Sequence, residues 1–103
     1  AIAFAREDGA SALRLDIAHG KAGAAIGMGS NSRALAIRAK DLPAFFSTIA
    51  SKAQHPFIPQ TGAVLITHAN GDIIGAVGAS GGTGDEDEEI VIAGVLAAGL
   101  HHL

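Results

Sequence analysis

Two hydrophobic periodicities divide the chain. Between Leu13 and Ile26 the apolar residues recur at helical spacing and, at 100° per residue, resolve into two stripes. Leu13, Ile17, Gly20 and Ala24 form one; Leu15, His19, Ala22 and Ile26 form the other, on roughly the opposite side. Arg14, Ala18, Lys21 and Ala25 lie between them. A helix with two apolar stripes needs two packing partners, and the expectation is its own sheet on one side and a neighbouring subunit on the other. Gly20 and Gly23 permit close approach at some cost in helix propensity.

Beyond residue 62 the period changes to two. Ala63 to Ala69 and Asp72 to Ala79 read as a hairpin, joined by Asn70-Gly71 as a type I′ turn. This register sets Ala69 opposite Asp72, His68 opposite Ile73, Ile66 opposite Gly75 and Val64 opposite Val77. One face then carries Val64, Ile66, Ile73 and Val77, the other Leu65, Ile74 and Ala76. With both faces apolar, the antiparallel sheet should be covered on both sides.

The remaining segments follow from local signals. Ala1 to Arg6 reads as a strand, closed by a turn at Glu7-Asp8-Gly9. Gly27 to Ser32 ends the first helix, and Ser30 or Asn31 caps a second over Arg33 to Ala39. Asp41 is the expected N-cap of a third, with Pro43 in its first turn, running to about Ala53. Two prolines force His55 to Pro59 to be extended. A last helix is expected from Asp85 to about Leu100, and His101-His102 as a frayed tail. The result is an α+β chain forming one domain over residues 1–103.

Composition narrows the function. Of 103 residues, 49% are hydrophobic, yet many are alanine, with four Phe and no Trp or Tyr. Small side chains bury little area each, which favours a homo-oligomer, a dimer or larger. The absence of cysteine removes disulfides, thiolate metal sites and a cysteine nucleophile. It also fits a reducing compartment, so the expected location is cytoplasmic; the start inside an apolar segment leaves a secreted or periplasmic one open. No apolar run reaches membrane-spanning length, so no membrane partner is expected. All seven Lys and Arg lie at or before Lys52, making that part +3 and the rest −6. An acidic second part without a basic residue argues against a nucleic-acid partner, and unlike surfaces favour self-association.

Candidate chemistry concentrates in the glycine loop Ser80 to Gly84, between the second hairpin strand and the last helix. Gly78-x-Ser80-x-Gly82 matches the serine-hydrolase elbow, but His68 is roughly 23 Å away at ~3.3 Å per strand residue. His101 and His102 stand at the far end of the last helix, about 24 Å from its start at ~1.5 Å per residue. A phosphate cradle lacks its lysine and meets five acids from Asp85 to Glu89. Asp85, Asp87, Glu88 and Glu89 could offer oxygens to a metal; the competing reading is a capping box of Asp85 with Glu88. His19, on an apolar stripe, is a candidate haem-iron ligand or a packed imidazole paired with Asp16. Arg14 and Lys21 could meet an anionic group, or form a solvated face.

Several blocks together resemble the GlcG/HbpS-like family of haem-binding or haem-degrading domains, which also form the C-terminal domain of PduO-type adenosyltransferases. They are Arg14-x-Asp16-Ile17-Ala18-x-Gly20-Lys21-Ala22, Gly27-x-Gly29-x-x-Ser32-Arg33, Asp41-x-Pro43-x-Phe45, and Gly75-Ala76-Val77-Gly78-Ala79-Ser80-Gly81-Gly82-x-Gly84-x-x-Asp87-Glu88. Gln60-Thr61-Gly62-Ala63 departs from the family's paired glycine. The resemblance implies a three-layer α/β/α, profilin-like fold, its antiparallel sheet flanked by helices, with the family's N-terminal helix and first strand missing before Ala1. It further implies a homo-oligomer that binds haem or a related small molecule, without established catalysis. The expected ligand contacts are His19, as haem-iron ligand, with Arg14, Lys21, Ser80, Gly81 and Gly82; Asp85 and Glu88 are candidate metal ligands. The alternatives are an assembly or regulatory module of a glycolate, propanediol or aromatic catabolic locus, and a small hydrolase or lyase using the Ser80 loop.

Overall fold

The structure, a computed structural model, describes residues 1–103. Four helices, α1 (Ala12–Met28), α2 (Ser32–Asp41), α3 (Pro43–Lys52) and α4 (Gly84–Ala97), surround a sheet of β1 (Ala63–Thr67), β2 (Ile73–Gly78) and β3 (His101–His102). The sheet is antiparallel, in the order β2-β1-β3.

The hairpin register is the expected one along most of β1, with Val64 opposite Val77 and Ile66 opposite Gly75. Its turn is different. Type I′ needs positive φ at both central residues, and here Gly71 alone has it, at 92°. The Gly71 amide donates to the His68 carbonyl and the His68 amide to that of Asp72, each at 2.9 Å. This is a three-residue loop ending in a left-handed glycine. The added loop residue shifts the pairing, so that Thr67 faces Ile73 and Ile74 becomes a bulge. Ile73 and Ile74 are consequently 44% and 46% exposed, not one on each covered face.

Two expectations at the chain ends are corrected. His101 and His102 form β3 against β1 instead of fraying. The cause is Gly99, whose φ of 75° lets its amide and that of Leu100 return to the carbonyls of Leu96 and Val95. Such a left-handed cap stops α4 at Ala97 and turns the chain back along the sheet. Ala1 to Arg6, in contrast, is irregular and has no backbone hydrogen bond to the sheet. Alternation alone does not make a strand without a paired edge, and Phe4 instead sets its ring edge-on to His19, with centroids 5.2 Å apart.

The packing of α1 inverts the wheel reading. Its sheet-facing strip is the one between the apolar stripes: Ala25 is buried with Ala63 and Leu65, and Ala18 lies beside Gly78. A Cβ at Gly78 would stand 2.5 Å from the Ala18 carbonyl, so only glycine lets β2 approach here. A second face of α1 is covered by the chain itself, while Leu13 and Ile26 stay 63% and 46% exposed. Ala24 packs with Leu35 of α2 and Phe46 of α3. The extended segment crosses Gly20 and Gly23, with the Ile58 amide donating to the Gly20 carbonyl at 2.9 Å. On the opposite face of the sheet, α4 packs Val91 and Val95 on Val64.

Helix starts also differ from expectation. Asp41 is the last residue of α2, and Leu42 occupies the N-cap of α3 without a side-chain bond. One residue separates the two helices, and its amide closes α2 on Arg38 while its carbonyl opens α3 to Phe46. Asn31 stands at the N-cap of α2 but caps nothing. It accepts from the Leu65 amide and donates to the Leu103 carbonyl, both at 2.8 Å. Ser32 accepts from the Ala63 amide at 2.8 Å and donates to the Ala63 carbonyl at 3.1 Å. These two side chains complete the β1 edge where β3 is too short to reach.

Ser32 is fully buried, so Ser32→Ala strands a donor and an acceptor of β1. The expected loss is about 1–3 kcal/mol, read from the urea midpoint by far-ultraviolet circular dichroism, because the chain has no Trp or Tyr. An unchanged midpoint would contradict this role.

Candidate functional site

The glycine loop is built from its far side. The N-cap of α4 is Thr83, not Asp85: its hydroxyl accepts from the Glu86 amide and the Glu86 carboxylate accepts from the Thr83 amide. The capping box thus sits two residues earlier than the acidic run suggests, because Thr83 is the last residue with extended φ and ψ before the helix. This shift frees Asp85 and Asp87 for other partners.

Asp87 turns inward. One carboxylate oxygen accepts from the Gly82 amide at 3.0 Å and the other from Lys21 Nζ at 3.0 Å. Lys21 Nζ also donates to the Ala79 carbonyl at 3.1 Å. Both side chains are buried, at 7% and 3% exposure. The pair therefore grips the loop at both ends, Ala79 where β2 leaves the sheet and Gly82 just before the cap. Lys21 reaches it because Gly62, with φ 135°, presents no side chain to its ammonium.

Asp85 and Glu88 turn outward to one cation. The Arg33 guanidinium bonds Asp85 and both oxygens of Glu88, the latter at 3.0–3.1 Å. These hydrogen bonds, with Glu88 contributing most, raise the Arg33 pKa further above its ordinary value. What lies between the two candidate metal ligands is thus an arginine of α2. No three of the His, Asp and Glu side chains gather in a metal-holding arrangement. The basic first part and acidic second part of the chain meet within the fold through Lys21–Asp87 and Arg33 with Asp85 and Glu88.

In front of the loop lies a cleft of about 720 Å³. Gly78 to Gly82 form one wall, Arg14, Leu15 and Ala18 of α1 a second, and Ala5 to Glu7 a third, with Ile90 of α4 at its edge. This volume lies within the range of small-molecule sites, roughly 300–1,000 Å³. Of the residues singled out from sequence, Arg14, Ser80, Gly81 and Gly82 come together here. Arg14 Nη1 donates to Ser80 Oγ at 3.3 Å. Lys21 does not line this cleft; with Gln60, Thr61, Thr83, Gly84 and Asp85 it lines a smaller polar pocket of about 380 Å³. His19 is not among the cleft's walls; it lies one turn beyond Leu15 on α1, edge-on to the Phe4 ring.

Sequence reading missed two contributors. Arg6 lines the cleft from a segment expected to be a strand, and Asp87, named only as a possible metal oxygen and within the family block, anchors the loop. A signal for Asp87 existed: Lys21 falls on the strip that faces the sheet, where a lysine requires a buried partner.

Removing one member of a buried pair strands the other, at about 3–5 kcal/mol. Lys21→Met is therefore expected to lower the unfolding free energy by that amount, and Lys21→Met with Asp87→Leu to recover most of it, both read by thermal denaturation. Equal stability of the single variant and the natural chain would show that the pair holds nothing.

No helix is long and apolar enough to cross a membrane. No curated protein and no solved structure matches the chain. A family model described as haem degrading protein HbpS-like matches residues 1–96, which include the glycine loop, the Lys21–Asp87 pair and every cleft wall. The chain belongs to the HbpS-like family of haem-degrading proteins.

Proposed function

We propose that the cleft in front of the glycine loop is a binding site for haem or a related tetrapyrrole, and that the chain binds this ligand without a catalytic step of its own. The observation that carries the reading is the cleft's composition. It joins an apolar lining, Ala5, Ala10, Leu15, Ala18, Ala79 and Ile90, to the exposed guanidinium of Arg14 and a wall of loop backbone. A flat apolar body with charged edges has both of its requirements met there. When bound, haem would supply a redox-active iron centre.

His19 is the residue that would hold the iron. Leu15 and Ala18, its neighbours on the same helix, line the cleft, and the Phe4 ring of an irregular segment is what lies against it. His55 is bonded to the Gly23 carbonyl, His68 closes the hairpin loop, and His101 and His102 belong to β3. Ser80 accepts a hydrogen bond from Arg14, and an arginine does not serve as its base. This favours a binding loop over a hydrolase or lyase.

Assembly into a homo-oligomer is part of the proposal, with a three-layer, profilin-like arrangement in each subunit. Supporting the layers, α1 and α4 cover opposite faces of the sheet. Supporting assembly, the outer edge of β2 is unpaired and Ile73 and Ile74 beside it are exposed. The second reading, an assembly module without haem, rests on that same edge.

Titration with haemin is expected to give a saturable Soret shift at micromolar concentration, and His19→Ala to bind with an altered Soret position. Absence of saturable binding would remove the haem reading; an identical spectrum in the variant would remove His19 from it. In sedimentation at two concentrations, followed by interference, the natural chain is expected to exceed monomer mass. A monomer at both concentrations would refute assembly.

A further inference from the structure

The cleft holds a second unpaired arginine besides Arg14. The ion pairs of the fold engage Lys21 and Arg33, while Arg6 and Arg14 have no carboxylate partner. Both are exposed and both line the cleft, Arg6 from the segment before α1 and Arg14 from the first turn of α1. Each makes one side-chain hydrogen bond, Arg6 Nη1 to the Ala10 carbonyl at 2.5 Å and Arg14 Nη1 to Ser80 Oγ at 3.3 Å. A guanidinium has five N–H donors in a planar fork that matches a carboxylate, so most of each fork is free.

The acids of the cleft do not answer this charge. Glu86 is occupied in the capping box and Asp87 in the buried pair with Lys21, which leaves Glu7 as the one acid of the lining outside such an arrangement. The same lining holds the apolar Ala10, Leu15 and Ala18, with Ser11 and Ser80 as its hydroxyls. The cleft thus offers two cationic forks around an apolar surface.

We propose that Arg6 and Arg14 are a paired carboxylate clamp, and that the cleft selects an amphiphile carrying two carboxylates on an apolar body. This rests on the ligand-binding reading of the cleft and sharpens it. Arg6 takes the place expected for Lys21, whose charge is spent inside the fold on Asp87. Neither arginine touches the buried pair, so their substitution keeps the grip on Ala79 and Gly82, and Arg14→Gln gives up the bond to Ser80 alone.

The test separates the two levels. Protoporphyrin IX, which has no iron to ligate, and its dimethyl ester, whose carboxylates are masked, are titrated by porphyrin fluorescence into the natural chain, Arg6→Gln, Arg14→Gln and the double variant. The free acid is expected to bind the natural chain more tightly than the ester. Each single variant should weaken the acid by roughly fivefold and the double by roughly 25-fold, the scale of partly exposed charge-assisted bonds. Ester affinity should not change among the variants, and Arg14→Lys should recover part of the lost affinity for the acid. Equal affinity of acid and ester, or variants that bind the acid as the natural chain does, would overturn the clamp while leaving the binding site standing. Failure of the natural chain to bind either porphyrin would overturn both. Far-ultraviolet circular dichroism of each variant confirms that a lost affinity is not a lost fold.

Discussion

A buried lysine is expensive, and the ion pair of Lys21 with Asp87 is the arrangement on which the site depends. Each charge loses its hydration, and their attraction compensates only if the remaining polar groups are also bonded. Here they are: Ala79 and Gly82 supply a carbonyl and an amide to the two side chains. The pair joins α1 to α4 across the end of the hairpin, and the loop between Ala79 and Gly82 has little freedom left. A hydrophobic pair would hold the helices together equally well. It would not hold the loop, because only charged or polar side chains reach its backbone groups.

From this grip the cleft follows. With its ends fixed, the loop presents Ser80 and Gly81 outward, toward Arg14, while Gly78 lets β2 press against α1. The same economy explains the uneven charge along the sequence. Lys21 and Arg33 are consumed by acids from the second part of the chain, and the guanidinium groups of Arg6 and Arg14 remain at the cleft.

Much of the fold was legible in the sequence. The span of α1, the hairpin register through Ile66, the extended proline segment and the two-sided cover of the sheet are all fixed by local pattern. What failed depended on backbone angles or on partners distant in sequence. Asn70-Gly71 suggested one turn, yet Asn70 has no positive φ, and the resulting bulge exposed Ile73 and Ile74. The acidic run suggested a cap at Asp85, but a threonine two residues earlier was the better acceptor. On α1, counting apolar residues picked the wrong face, since Ala18 and Ala25 pack by being small and Lys21 by being paired. At the site, Arg14 and Ser80 to Gly82 line one cleft, whereas Lys21 serves the interior and His19 is not among the cleft's walls. Arg6 was not legible, because an irregular segment carries no period.

The most direct test of the central claim is amide hydrogen exchange at Gly82, measured in the natural chain and in Lys21→Met with Asp87→Leu, where helix packing is retained but the grip is gone. A protected Gly82 amide is expected in the natural chain and exchange faster by about 100-fold or more in the variant, with the β1 amides still protected. Equal Gly82 protection in both proteins would show that the loop stands without the ion pair.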